Sequence, residues 1–105
     1  MIKDKQLKWN INDGISAFRK NGNAVLLDVR REEEFSAGYI AGAINVPLQE
    51  IEDVEEVVFG KNTLIYVYCR SGVRSAQAVK ALRYMGYTNV IDLGGILDYY
   101  GEIVR

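Results

Sequence analysis

Apolar positions along the chain switch between short runs of strand length and stretches of helical period, the pattern of an α/β domain built on a mainly parallel sheet. A first helix is expected over residues 11–20, with Asn10 or Asn12 placed to cap it and Gly22 to end it. Residues 25–29 then read as a buried strand. Residues 32–37 read as a short helical turn closed by Gly38, with acids at the end where the helix dipole favours them. A short strand over 43–46 is stopped by Pro47, after which Leu48, Ile51, Val54 and Val58 recur at helical spacing. Residues 63–68 are β-branched and aromatic almost throughout and form the strongest strand expectation. A helix follows over 75–85, ended by Gly86. A strand over 90–93, a turn at Gly94-Gly95 and a closing helix from Ile96 complete the chain. Tyr66 and Tyr68 are expected on opposite faces of their strand, with at least one in the core.

Composition narrows the function classes mainly by what is absent. With 49% hydrophobic and 26% charged residues and a single proline, the 105-residue chain is expected to fold as one packed domain over 1–105. Thirteen basic residues nearly cancel fourteen acidic ones, and a net charge of −1 argues against bulk electrostatic binding to nucleic acid or an anionic membrane. No histidine is present, which removes imidazole bases, Cys–His dyads and His-ligated metals. One cysteine, Cys69, removes an internal disulfide, a CxxC pair and a multi-cysteine zinc site. The first eight residues have no apolar h-region and no stretch has the length of a membrane span, so a cytoplasmic location is expected, where a thiol stays reduced.

The charge is unevenly distributed. Between Val57 and Ile91 the chain carries Lys61, Arg70, Arg74, Lys80 and Arg83 and no acid, whereas residues 28–56 are rich in acids. Charged residues ordinarily just solvate surface helices, but here two of the arginines flank the only cysteine. Cys69 closes a strand and opens a loop, Arg70-Ser71-Gly72-Val73-Arg74-Ser75, that leads into a helix. Open α/β sheets place ligands at this position, outside the carboxyl end of a strand. Backbone N–H groups of such a loop can converge on one point, with Gly72 permitting the turn, and the following helix adds its unsatisfied N–H groups and positive end. An anion is favoured there, and the Cys69 thiolate is one candidate. A lone cysteine at a strand end is commonly a small buried hydrophobe. However, the six residues after Cys69 include two Arg, two Ser and one Gly, which is poor material for a core.

Cys69-Arg-Ser-Gly-Val-Arg-Ser75, preceded by the apolar strand, resembles the active-site loop of single-domain rhodaneses (thiosulfate sulfurtransferase-like proteins). The likeness covers about residues 25–100. Asp28-Val-Arg30, Glu33-Glu34-Phe35 and the stretch from Gly38 to Pro47 resemble the family's first signature region, and residues 81–95 its C-terminal stretch. The resemblance implies a three-layer α/β/α fold around a mainly parallel sheet of about five strands. It further implies that Cys69 takes sulfane sulfur from a small anionic donor such as thiosulfate, forming a persulfide, and hands it to a thiol, a protein acceptor or cyanide. Arg70, Ser71, Gly72, Val73, Arg74 and Ser75 would then bind the donor, their backbone amides cradling the sulfur while the two guanidinium groups attract the anion. No cofactor and no metal are implied. Tyr39, Ala41 and Ile96 stand where the family often has His, Pro and Trp, departures that touch packing and the pocket rim rather than the nucleophile.

Two other functions compete. Phosphatases and arsenate reductases with a loop cysteine have five residues between Cys and Arg, to make a ring wide enough for phosphate. Here four residues separate Cys69 from Arg74, which favours sulfur. A non-catalytic module that carries a persulfide or docks a protein would more commonly have lost the cysteine. Asp28 and Arg30 are expected to form a structural ion pair, and Trp9, Tyr99 and Tyr100 to be packing or surface residues.

Overall fold

The computed structural model describes residues 8–105, so most of the polar N-terminal stretch on which the location expectation rested lies outside the described residues. Four strands, β1 (Val25–Asp28), β2 (Ala43–Asn45), β3 (Ile65–Cys69) and β4 (Val90–Gly95), form one parallel sheet in the order β2-β1-β3-β4. Three α-helices accompany it: α1 (Ile11–Lys20), α2 (Glu32–Ala37) and α3 (Val73–Tyr84). Asn10 caps α1 by accepting the Asn12 N–H at 2.8 Å, whereas Asn12 itself ties the helix to the C-terminal segment through Asp98 O and Tyr100 N.

Every residue of β3 and β4 is buried, because both sheet faces are covered. On one face Leu27, Val29, Ile65, Val67 and Cys69 pack with Ala78, Val79 and Leu82 of α3 and with Val54 and Val58. On the other, Leu26, Tyr66, Tyr68, Ile91 and Leu93 pack with Ile11 and Ile15 of α1. Tyr66 and Tyr68 therefore share a face and are both buried, correcting the expectation that they diverge: a strand's period of two aligns residues i and i+2.

Three elements differ from expectation. Among the described residues the sheet has four strands rather than about five, and beyond β4 a parallel bridge, Lys8 with Asp92, extends it. The helically spaced stretch after Pro47 is a 3₁₀ segment, Leu48–Glu56, interrupted at Glu50 (φ −116°, ψ 27°). Gly94 and Gly95 belong to β4 rather than to a turn, and the closing helix is one 3₁₀ turn, Ile96–Asp98. Beyond it the backbone pairs with the segment after α2, Tyr39 and Val104 exchanging N–H···O bonds of 2.9 and 2.8 Å, which hold the end of the chain beside the sheet. Among the described residues no helix is long and apolar enough to cross a membrane.

This strand order puts β1 and β3 side by side at the centre while the chain leaves them toward opposite edges. The carboxyl ends of these two strands are the switch point where open α/β sheets form a crevice. Asp28 and Cys69 end those strands.

Candidate active site

Cys69 is fully buried, and its Sγ accepts a hydrogen bond from the Gly72 N–H at 3.0 Å. Gly72 makes this turn possible. Its φ of +113° lies in the left-handed region that favours glycine, and it reverses the chain between β3 and α3. Its carbonyl then accepts from Ser75 Oγ (3.1 Å) and Ala76 N (3.2 Å), closing the helix start and burying Ser75. The amides of Ser71, Val73, Arg74 and Ser75 donate to no acceptor among the described residues. They are the open donors of a loop and helix N-terminus, next to the sulfur. Val73 turns its side chain to solvent and contributes only backbone.

A second loop supports the first. Cys69 is in register with Gly95, and the Leu97 N–H donates to Arg70 O at 3.2 Å. A Cβ on Gly95 would land on the Arg70 carbonyl oxygen and within 2.6 Å of Ser71 Cα, so only glycine allows the two backbones to touch. Gly95→Ala is accordingly expected to destabilise the fold by about 1–3 kcal/mol, the range for overpacking, and toward its upper end because the contact is with backbone. Urea denaturation checks this, and an unchanged midpoint would show that the loop yields.

The charged groups form two pairs. Arg30 grips Asp28 through Nε (3.1 Å to both oxygens) and Nη2 (2.7 Å), and Asp28 also accepts the Arg30 N–H. The same guanidinium donates to Gly38 O at 2.7 Å and lies over the Tyr68 ring, 5.7 Å from its centroid. Burial alone would lower the Arg30 pKa, but the Asp28 contacts more than offset it and the net shift is upward. Burial and the nearby Asp28 carboxylate push the Tyr68 phenol well above its ordinary value, so it stays neutral and accepts the Ile40 N–H at 3.2 Å. The expected structural ion pair is thus present, joining the ends of β1 and β3 to the segment after α2.

The other pair is Arg74 with Glu34. Arg74 Nη1 and Nη2 donate to the two oxygens of Glu34 at 2.6 and 3.0 Å, and Glu34 Oε1 also accepts the Arg31 N–H at 3.0 Å. The hydrogen bond from Arg74 comes first in holding the Glu34 carboxyl down at about 2. A carboxyl depressed in the folded state stabilises fully above its unfolded pKa, near 4.3, and loses that contribution as pH falls toward 2. The stability gap between the native chain and Glu34→Gln is expected to be constant from pH 7 to about 5, at about 1 kcal/mol or less for a partly exposed pair, and to shrink from there until it is lost as the pH falls through about 2. Denaturation midpoints across that range check the sign.

Arg70 makes no ion pair or side-chain hydrogen bond among the described residues. It borders a cleft of about 370 Å³ between α2 and the C-terminal segment, lined also by Glu34, by Arg105 and by the Asp28-paired Arg30, with Ile96, Leu97 and Ile103 as an apolar wall. Of the positions departing from the rhodanese pattern, Ile96 lines this cleft, whereas Tyr39 stacks on Phe35 with ring centroids 4.3 Å apart. Trp9 packs edge-on against Tyr66 at 6.0 Å, and Tyr100 is exposed. Cys69, Arg70, Ser71, Gly72, Val73, Arg74 and Ser75 thus form one continuous loop and helix start. Glu34 and Gly95 are the partners that sequence reasoning missed: each meets the loop only through tertiary contact, Glu34 across forty residues.

A buried strand-end cysteine beneath an amide-lined loop, at the switch point of a parallel sheet, is the layout of a loop-cysteine α/β domain. Residues 12–102 match the rhodanese-like domain, and the chain belongs to that family. It is 41% identical over 73 residues to the thiosulfate sulfurtransferase PspE of Escherichia coli (strain K12), covering 69% of this chain and 70% of that protein. It is 38% identical over 79 residues to the adenylyltransferase and sulfurtransferase uba4 of Ogataea parapolymorpha; the match covers 74% of this chain but only 20% of that longer protein. Among solved structures, a rhodanese with anions from E. coli superposes with a TM-score of 0.73 at 38% identity, covering 78% of this chain and 98% of that one.

Proposed function

We propose that this chain acts as a single-domain, rhodanese-type sulfurtransferase with Cys69 as nucleophile. The observation that carries the reading is the Gly72 N–H donated to Cys69 Sγ at 3.0 Å, since it sets the sulfur beneath a loop whose remaining amides are unused. The Cys69 thiolate attacks the sulfane sulfur of thiosulfate or a similar anionic donor. The sulfur–sulfur bond of the donor breaks, sulfite departs with the bonding pair, and a Cys69 persulfide anion remains. An acceptor thiolate, or cyanide, then attacks the terminal sulfur and regenerates the Cys69 thiolate. Sγ already holds the Gly72 N–H, so the added sulfur meets the amides of the turn that remain open, where hydrogen bonds to a charged acceptor are strongest.

Arg70 draws the donor in, with the backbone amides of residues 70–75 as the cradle and the cleft beside Arg70 as the approach. With Cys69 as the only cysteine, sulfur must leave to another molecule. Similarity to a protein named as a putative sulfur carrier supports a protein acceptor as one such molecule.

The test is intact-protein mass spectrometry after brief exposure to thiosulfate and again after cyanide. A gain of one sulfur that cyanide removes is expected. No adduct with thiosulfate or with polysulfide would overturn the reading.

A further inference from the structure

Glu34 stands between the two arginines of the loop. Its carboxylate borders the cleft that holds Arg70 and also the neighbouring groove formed with Arg74, Leu48 and Gln49. Both of its oxygens are engaged by Arg74, and the Arg31 N–H fixes its position from behind. Arg74 stands in the first turn of α3, two residues after Gly72, whose N–H holds Cys69 Sγ. The charge that reaches the sulfur site from this side is therefore that of an Arg–Glu pair, nearly zero, and Arg70 is left as the open cation of the loop.

We infer that Glu34 is a specificity-determining residue: by neutralising Arg74 it narrows the preference of the site for dianionic over singly charged sulfane-sulfur donors. The inference rests on the sulfurtransferase reading and concerns the donor half-reaction of that site. Glu34 touches no reacting atom and acts through Arg74 as a positioning residue.

The matched donors are thiosulfate, a dianion, and methanethiosulfonate, a monoanion in which a methyl group replaces one oxygen. Each delivers one sulfur to the Cys69 thiolate, leaving as sulfite or as methanesulfinate respectively, and each yields the same persulfide. Interaction energy is proportional to donor charge, so removing one nearby negative charge acts on the dianion as the square of its effect on the monoanion. Glu34→Gln keeps the size of the side chain and a carbonyl oxygen for Arg31 N–H and Arg74. It is expected to raise kcat/KM about threefold for methanethiosulfonate and about ninefold for thiosulfate at low salt, with the difference shrinking as ionic strength rises. Glu34→Asp retains the charge and is expected to keep the native ratio of the two donors.

Equal changes for both donors, or no change, would overturn the inference, because a purely structural role of Glu34 moves both together. Loss of both activities in Glu34→Gln with a native donor ratio in Glu34→Asp would also overturn it, in favour of a role in holding the loop. Failure of the native chain to load sulfur from either donor would overturn the sulfurtransferase reading first, and this inference with it.

Discussion

Cys69→Ser is expected to take up no sulfur from any donor and to lose turnover by at least about 10³-fold, since no other residue of the chain can carry a persulfide. Serine is nearly the same shape. Its hydroxyl can accept the Gly72 N–H in place of Sγ and leaves the β3 register with Gly95 undisturbed. The fold is therefore expected to survive with a loss of only about 1 kcal/mol, the scale of a small core substitution. Mass spectrometry with thiosulfate and polysulfide, set beside the urea midpoint of the same variant, separates the two effects. A folded serine variant that still gains a cyanide-labile sulfur would remove Cys69 from its assigned role.

Asp28→Asn is the change expected to cost the most stability. It leaves the Arg30 guanidinium buried with its charge unmatched, and turns an amide N–H₂ toward donors that now hold an oxygen. Breaking a buried pair from one side destabilises by about 3–5 kcal/mol, against a total of about 5–15 kcal/mol for a domain of this size. The loss should reach the site as well. The same guanidinium holds Gly38 O and lies on Tyr68, the residue before Cys69. The double variant Asp28→Asn with Arg30→Met removes the stranded charge and is expected to recover part of the stability. Urea denaturation of the two variants decides this, and a single variant within 1 kcal/mol of the native chain would show that water reaches the pair.

Most of the loop chemistry could be read along the chain because it is local. Cys69, Gly72 and Ser75 act within one turn, where a strand end, a glycine with positive φ and a helix start follow one another. The Asp28–Arg30 pair is legible for the same reason, its members being two residues apart. The strands were legible because buried parallel strands read as apolar runs. The C-terminal segment was not. Its glycines suggested a turn, yet Gly94 and Gly95 lie in β4 because that strand must pass against the Cys69 loop without side chains between.

The sequence by itself determined the class of fold and marked the candidate nucleophile and the loop around it, since each follows from neighbours within a few positions. Tertiary structure alone decided which arginine is open. Arg70 and Arg74 look equivalent as charges on a chain, and only the fold, which carries α2 to the start of α3, brings the Glu34 carboxylate onto one of them. Charge pairing depends on distance through space. The intervening chain carries no mark of it until the sheet has formed and brought Glu34 to the first turn of α3.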